Sequence, residues 1–247
     1  MTWLLTGGAG YIGAHIVRAF QRIDLPVVVL DDLSTGVREN VPDDVPFVHA
    51  RVQDADAVRA AIREHQVTGL LHLAAQKAVG ESMELPLLYW RENVGGMATL
   101  LETANSEGVR RILFSSSAAV YGIPPVEHVT EQTPATPINP YGETKLVGEW
   151  MLRDLATATP DLRWAALRYF NVVGTESAAL SDRSVNNLVP MVFRALGSGR
   201  NPQLFGEDYD TRDGSCVRDY IHVDDLADAH AAAARRLDEG PLGEVYN

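Results

Sequence analysis

A tyrosine and a lysine four residues apart, in the segment NPYGETK, are the first candidates for chemistry in this chain. Pro140 suits the first turn of a helix, where its missing N–H costs no hydrogen bond. On a helix, Tyr141 and Lys145 lie on one face and can approach the same point. Two interpretations follow: an ordinary solvated turn, or a phenol and an ammonium placed together for proton transfer.

A serine at the end of an apolar segment favours the second interpretation. The segment LFSSSAAVYG is typical of a strand that ends in three serines, of which Ser117 is the last. Ligands bind at the carboxyl ends of the strands in open parallel sheets, so Ser117 can meet Tyr141 there. A free phenol has a pKa of about 10, and the charge of Lys145 would lower it. We therefore predict Ser117, Tyr141 and Lys145 as catalytic residues, of which the deprotonated Tyr141 removes a proton from a substrate hydroxyl and Lys145 favours the phenolate.

The segment LLTGGAGYIG indicates where a dinucleotide binds. Gly7, Gly10 and Gly13 follow a predicted strand and lead into a predicted helix, whose N-terminus would stabilise a pyrophosphate. The acidic pair Asp31 and Asp32 ends the next strand, which is the context that such a motif requires. A carboxylate there accepts hydrogen bonds from ribose hydroxyls and repels a 2′-phosphate, so NAD is predicted rather than NADP. The alternative is a plain structural turn between strand and helix.

Short apolar segments alternate with amphipathic ones over the first two thirds of the chain. The predicted strands are WLLT, VVVLD, FVHARV, GLLHLAA, RILFSSS and WAALRYF, and helices such as YIGAHIVRAFQRI and DADAVRAAIREH lie between them. Buried strands alternating with helices predict an α/β fold, a Rossmann-type doubly wound parallel sheet. We assign residues 1–173 to an NAD-binding Rossmann domain that carries the serine, the tyrosine and the lysine.

From residue 174 the pattern changes to polar, turn-rich insertions around one helix-like segment, LVPMVFRALGSG. The segment HVDDLADAHAAAARRLDEG then returns to a helix that ends near Gly240. We assign residues 174–247 to a smaller C-terminal substrate-binding lobe, interleaved with returning Rossmann elements. The final GEVYN is typical of another strand, and stopping inside a strand leaves an unprotected edge. We therefore expect this lobe to be incomplete and the chain to be a fragment of a longer protein.

The composition argues against several classes of protein. The formal net charge of −12 argues against a nucleic-acid surface. The N-terminus lacks the features of a signal peptide, and no segment approaches the length of a membrane span. One cysteine, Cys216, cannot form an internal disulfide, which suits a reducing cytoplasm. His222 lies near Asp224 and Asp225, but no further ligands cluster there, so no metal is predicted.

Five longer segments are more specific: DDLSTG, HLAAQKAVGES, RYFNVVG, NNLVPMV and FGEDYDTRDGSCVRDYIHVDDLADAH. With the glycine triplet, the serine and the Tyr-x-x-x-Lys pair, they make the chain resemble the extended short-chain dehydrogenase/reductase family from Met1 to Asn247. Within that family the resemblance is to the nucleotide-sugar epimerases. It implies an NAD-dependent isomerase that interconverts UDP-galactose and UDP-glucose through a 4-keto intermediate.

The resemblance also implies roles for individual residues. Around NAD it places Gly7, Gly10, Tyr11, Ile12, Gly13, Asp31, Asp32, Ser34, Lys77, Asn93, Tyr141, Lys145 and Tyr169. Around the UDP-hexose it places Ser117, Tyr141, Asn171, Asn187, Leu188, Phe205, Arg218 and Tyr220. In this set Arg218 would pair with a diphosphate oxygen. Simpler alternatives are a solvated Lys77, a core Phe205, and an Arg218 paired with a nearby aspartate.

Two other functions stay open: a nucleotide-sugar dehydratase or decarboxylase, and a non-catalytic NAD-binding module. The first would need an acid beside the serine, which SSSAAV lacks. The second would be favoured by loss of the tyrosine or the lysine, and both are present.

One residue departs from the family pattern. Members usually carry an aspartate that binds the adenine where this chain has Arg51, and a guanidinium has no acceptor. Arg51 could stack on the adenine, face a nearby acid or face solvent. We predict the solvent-facing arrangement, because long charged side chains keep their heads wet, and hence a weakly held adenine.

Two predicted helices, PLLYWRENVGGMATLLETA and YGETKLVGEWMLRDLATA, are apolar around more than one narrow stripe. One side can cover the sheet, and the remainder predicts an interface between helices. We therefore expect a homodimer in the cytoplasm, with no nucleic-acid partner and no membrane.

Overall fold

The computed structural model describes residues 1–185, 187–204, 206–240 and 242–247. Its strands are β1 (Thr2–Thr6), β2 (Val27–Asp31), β3 (Phe47–His49), β4 (Val67–His72), β5 (Arg111–Ser115), β6 (Arg163–Leu167), β7 (Asn171–Val173), β8 (Tyr220–His222) and β9 (Gly243–Tyr246). Seven of them form one sheet in the order β3-β2-β1-β4-β5-β6-β9, and β7 pairs with β8 separately. Neighbouring strands of the large sheet are all parallel. The strand order therefore reverses between β1 and β4, the place where such sheets bind ligands.

The helices occupy the connections between the strands. They are α1 (Tyr11–Arg22), α2 (Ala55–Glu64), α3 (Val79–Glu84), α4 (Pro86–Tyr89), α5 (Gly96–Ser106), α6 (Pro140–Ala158), α7 (Leu188–Gly197) and α8 (Val223–Glu239). Between α4 and α5 the chain passes through a π-helical turn, Trp90–Gly95. Such turns are rare and frequently lie at functional sites.

Two hydrophobic cores lie on opposite faces of the sheet. Alternate strand residues point to opposite faces, so Leu4 belongs to one core while Trp3 and Leu5 belong to the other. The first core includes Leu100 of α5 and Leu152 of α6, and the second is closed by α1 and α8. The sheet is thus covered on both faces, as the buried apolar segments predict, and the predicted doubly wound α/β fold is confirmed.

Several local predictions can be compared with the observed elements. GEVYN contributes β9, which pairs with β6, and LVPMVFRALGSG contributes α7. The predicted strand FVHARV ends early, at His49, because the chain turns there toward Asp54, whose carboxylate caps α2 by accepting from the Ala57 N–H. Because α8 and β9 pack into the large sheet, the division at residue 173 separates the chain only by sequence and stays a prediction.

Two searches of the described residues bear on partners. None of their helices combines the length and the apolar character needed to cross a membrane. The same residues contain no group of three or more histidine, cysteine, aspartate or glutamate side chains that is suited to a metal ion.

Candidate active site

Helix α6 presents a row of side chains to the carboxyl end of β5. Asn139 fixes the start of the helix, since its Oδ1 accepts from the Gly142 N–H at 2.8 Å. Tyr141 and Lys145 follow on one face, as their spacing predicts. The Lys145 ammonium donates to the Ser115 carbonyl at 2.8 Å, and the Ser117 hydroxyl is close enough to Tyr141 to lower the pKa of its phenol. The structure therefore brings the three predicted catalytic residues together.

The electrostatics of this trio depend on burial. Burial raises the pKa of the Tyr141 phenol, and the hydrogen bond from Ser117 acts in the opposite direction. Burial also lowers the pKa of Lys145, to about 8. Its Nζ lies 5.9 Å from the centre of the Tyr141 ring. At pH 7 the ammonium is thus still mostly charged and close enough to favour a phenolate, while the phenol by itself stays protonated.

The row on α6 continues with a residue that the sequence reasoning missed. Glu149 follows Lys145 by four residues, and its Oε1 accepts from the Ser116 hydroxyl at 2.5 Å. Arg168, at the end of β6, donates to both carboxylate oxygens, through Nε at 2.8 Å and Nη2 at 2.5 Å. Both side chains are buried, at 5% and 7% exposure. Glu149 therefore links Ser116 of the serine segment to Arg168. The four-residue spacing of Tyr141, Lys145 and Glu149 was the signal that could have revealed this residue.

We expect Glu149→Gln to lower the free energy of unfolding by roughly 3 kcal/mol, because it leaves the buried Arg168 guanidinium without a matching charge. Urea denaturation followed by circular dichroism measures the change. Asp154→Asn, on the same helix, removes the exposed partner of Arg153 and should cost less than about 1 kcal/mol. Equal effects of the two substitutions would show that the buried pair carries no special stability.

The glycine-rich segment forms a tight turn between β1 and α1. Gly7 has a φ of 79°, a left-handed conformation that glycine adopts without strain. A Cβ on Gly13 would lie 2.3 Å from the Gly7 carbonyl oxygen, so a side chain there would push the first turn of α1 away from the backbone at Gly7. No side chain caps the N-terminus of α1 at Gly10. The N–H groups of the first turn, which includes Tyr11 and Ile12, are thus left for an anionic ligand.

Gly13→Ala should reduce the NAD content of the purified protein at least ~10-fold, because the added methyl group displaces the backbone that would hold the pyrophosphate. The measurement is chromatography of the nucleotide released from denatured protein. Gly197→Ala is the matched control, since a Cβ at that helical position has no neighbour within 4 Å. Full NAD content in the Gly13 variant would contradict the assignment of this turn.

The acidic pair after β2 shapes the same turn. Asp31 is buried and accepts from the Ala9 N–H at 3.0 Å and from the Leu33 N–H at 2.8 Å. Burial raises the pKa of Asp31, although these two backbone hydrogen bonds act to lower it. Asp32 accepts from the Ser34 N–H at 2.9 Å and from its hydroxyl at 2.6 Å. Both carboxylates are therefore already engaged within the protein, and their predicted role toward the ribose stays a prediction.

A cavity of about 610 Å³ opens beside this pair. Its lining consists of Asp32, Ser34, His49, Ala50, Arg51, Asp54, Gln76, Leu88 and Glu92. Within it the Arg51 guanidinium contacts the Glu92 carboxylate and lies 3.9 Å from Asp32. The predicted solvent-facing arrangement of Arg51 is thus wrong: although 59% of its side chain is exposed, its charged end is directed between two acids.

The other predicted cofactor residues occupy different positions around the sheet edge. Asn93 is buried and clamps the loop after β4, exchanging hydrogen bonds with the backbone of Gln76. Lys77 is exposed on that loop. The Tyr11 hydroxyl donates to the Gly174 carbonyl at 2.6 Å, and Tyr169 packs edge-on against His230. Their roles toward NAD stay predictions.

The predicted substrate residues lie on β7, β8 and α7. Asn171 and Tyr220 are register partners in the β7–β8 pair, and the exposed Arg218 guanidinium donates to the Val217 carbonyl. At the start of α7, Asn187 donates to Asp182, and Leu188 is largely exposed. Phe205 falls outside the described residues. The structure therefore groups the residues of β7 and β8, and the substrate roles themselves stay predictions.

The fold and this site define a dinucleotide-dependent enzyme built on a tyrosine–lysine pair. The model of the NAD dependent epimerase/dehydratase family matches residues 3–247, and the chain belongs to that family. It is similar to the UDP-glucose 4-epimerase of Azospirillum brasilense, at 45% identity over 242 residues, which cover 96% of this chain and 69% of that protein. It is also similar to the UDP-glucose 4-epimerase of Bacillus subtilis (strain 168), at 40% sequence identity, which covers 100% of this chain and 76% of that protein.

Solved structures agree. The UDP-glucose 4-epimerase from Brucella ovis in complex with NAD superposes with a TM-score of 0.92 at 39% identity, covering 100% of this chain and 76% of that one. The enzyme from Bifidobacterium longum in complex with NAD⁺ and UDP gives a TM-score of 0.90 at 34% identity, with the same coverage. The predicted family, the predicted NAD-dependent epimerase class and the predicted cofactor are confirmed.

Proposed function

We propose that the protein interconverts UDP-galactose and UDP-glucose by oxidising and re-reducing carbon 4 of the sugar. The observation that carries this proposal is the trio Ser117, Tyr141 and Lys145, assembled at the sheet edge of a chain that is similar along its length to UDP-glucose 4-epimerases. Because the oxidation and the reduction cancel, the reaction consumes no cofactor, and NAD should stay bound through many cycles.

The residues present fit NAD. The uncapped first turn of α1 offers N–H donors to a pyrophosphate, and the cavity beside Asp32 and Ser34 has room for an adenosine. The carboxylates of Asp31 and Asp32 retain unused acceptor lone pairs for ribose hydroxyls. When bound, NAD supplies the hydride acceptor at carbon 4 and a positive charge close to Tyr141.

Three side chains of the protein carry out and support the proton transfer. Tyr141, as the phenolate, removes the proton from the 4-hydroxyl and later returns it to the reduced sugar. Ser117 donates a hydrogen bond at this point, which lowers the pKa of the phenol. Lys145, held by the Ser115 carbonyl, keeps a positive charge near the ring. For epimerisation, the 4-keto sugar then turns so that its other face is reduced.

We assign the sugar nucleotide to the lobe that β7, β8 and α7 contribute. Arg218 is exposed and can pair with a diphosphate oxygen. Tyr220 follows it by two residues on β8, and Asn171 is the register partner of Tyr220 on β7. Asn187 and Leu188 at the start of α7, together with Phe205, complete the proposed set. Selective loss of UDP-galactose binding with retained NAD, in an Arg218→Gln variant, would support this assignment.

A dehydratase is less well supported by the geometry. That chemistry needs an additional acid near the catalytic serine. The Glu149 carboxylate contacts the serine segment through Ser116, and it is already paired with Arg168. Ala118 and Ala119 follow the serine and supply no acid.

The proposal is tested by incubating the purified protein with UDP-galactose and no added cofactor. We expect UDP-glucose to accumulate until the two sugars reach equilibrium, as followed by proton nuclear magnetic resonance. A Tyr141→Phe protein prepared in parallel controls for contaminating enzymes. Absence of product in a folded protein that is loaded with NAD would reject this activity, and release of water from the substrate would indicate a dehydratase.

We also propose that the protein is a cytoplasmic homodimer. Leu87 on α4 is 77% exposed and Trp150 on α6 is 45% exposed, so each of the two predicted interface helices carries an uncovered large apolar side chain. The single cysteine is consistent with a reducing compartment. Sedimentation velocity should give twice the monomer mass, and Leu87→Asp should shift the protein to the monomer. A wild-type monomer at micromolar concentration would contradict the proposal.

A further inference from the structure

The cavity beside β2 contains a cation that the proposed mechanism does not use. The charged end of Arg51 lies between Glu92 and Asp32, on the wall of the cavity that also carries Ser34. An acidic residue at the end of the second strand is where a dinucleotide fold holds the ribose, and a nearby arginine is what accommodates a 2′-phosphate. The cavity therefore holds both elements of cofactor choice, an acid that favours NAD and an arginine that favours NADP.

Glu92 is built to hold that arginine. Its side chain is only 14% exposed, and besides contacting Arg51 it accepts from Gln53 at 2.8 Å and from Arg91 at 3.0 Å. Burial acts to raise the pKa of Glu92, but the hydrogen bonds from Arg91 and Arg51 outweigh it and the pKa is lowered. The carboxylate is thus charged at neutral pH and fixed from three sides. It lies in the π-helical turn Trp90–Gly95, a distortion typical of functional sites.

Arg51 lies close to the acidic pair that is predicted to hold the ribose. Its Nε is 3.9 Å from the Asp32 carboxylate, the group next to the predicted ribose position. A guanidinium carries five N–H donors and pairs with phosphate as readily as with carboxylate. The choice between the two anions therefore depends on whether Glu92 is present to compete.

We propose that Glu92 is a specificity-determining residue for the cofactor: by engaging Arg51 it withholds from NADP the one guanidinium, among the described cavity-lining residues, that could bind the 2′-phosphate. Glu92 thus adds to the repulsion by Asp31 and Asp32. The inference concerns the predicted site of the confirmed cofactor, NAD, and does not depend on which sugar the enzyme converts.

The test measures cofactor exchange instead of turnover. Holoenzyme is incubated with increasing NADP⁺, and the released NAD⁺ is quantified by chromatography, which gives the affinity for NADP relative to NAD. Glu92→Gln should raise this ratio about tenfold, the size of one charge-assisted hydrogen bond. Glu107→Gln is the matched control, because Glu107 also holds arginines, Arg59 and Arg63, but does not line the cavity.

Two further variants separate the proposed cause from a simple change of net charge. In the double variant Arg51→Gln with Glu92→Gln the gain should disappear, because the guanidinium that binds the phosphate is absent. A gain that persists in the double variant, or no gain in Glu92→Gln, overturns the proposal. Arg51→Gln alone replaces an exposed side chain and tests the idea even if Glu92→Gln folds poorly. It should leave the ratio unchanged, and a fall would mean that Glu92 does not restrain Arg51.

Discussion

Replacing Tyr141 with phenylalanine should reduce turnover of UDP-galactose by ~10²-fold or more while leaving the fold and the bound NAD intact. The phenol is the group placed to move the proton, since Ser117 lowers its pKa and the Lys145 ammonium lies 5.9 Å from the centre of its ring. Removing one oxygen atom preserves the ring and its packing on α6. The loss should therefore appear in kcat, measured by single-turnover kinetics, and much less in KM.

The control for this substitution is Tyr246→Phe, which deletes the same atom from a residue whose hydroxyl donates to Glu244 on β9. That variant should retain wild-type turnover. Thermal unfolding and nucleotide content establish that both proteins are folded and loaded. A loaded Tyr141→Phe enzyme with near-normal turnover would mean that another base acts, and the assignment of the trio would fail.

The parts of the fold and site that could be predicted from the sequence are those set by local pattern. Apolar runs alternating with amphipathic segments determine buried parallel strands with helices on both faces. The glycine spacing marks the β1–α1 turn, and the spacing of Tyr141 and Lys145 places both on one face of α6. Each of these features depends on residues close together in the chain. The position of Ser117 follows from a general rule, that open parallel sheets bind ligands at the carboxyl ends of their strands.

The sequence does not show which side chains of distant elements contact each other in the folded protein. Arg51 and Glu92 are 41 residues apart, and their contact depends on the π-helical turn that presents Glu92 to the cavity. Asp31 was predicted as a ribose ligand, and nothing local shows that its oxygens also hold the backbone N–H groups of Ala9 and Leu33. Long-range hydrogen bonds of this kind follow from the assembled sheet edge and have no sequence period of their own.

Lys145→Met should lower turnover by about 10²-fold at pH 7, with a deficit that shrinks as the pH rises. The substitution keeps an apolar stem of similar length in a site that is 5% exposed, so it removes mainly the ammonium. Because burial lowers the pKa of Lys145 to about 8, its charge is present below pH 8 and lost above it. The support that wild type gives to the phenolate therefore fades over the same range.

In the Lys145→Met variant, the Tyr141 phenol loses its proton more readily as the pH rises. Without the Lys145 ammonium, less positive charge opposes the effect of burial, which raises the pKa of the phenol, so the phenolate becomes more abundant as the pH increases. The ratio of wild-type to variant kcat should thus be largest below pH 8 and decline above it. Arg153→Met, which removes a positive charge from the exposed side of the same helix, should show no such dependence. A deficit in Lys145→Met that is constant from pH 6 to pH 10 would mean that the lysine acts only by orienting the nicotinamide ribose or the serine segment, and that its charge does not tune the base.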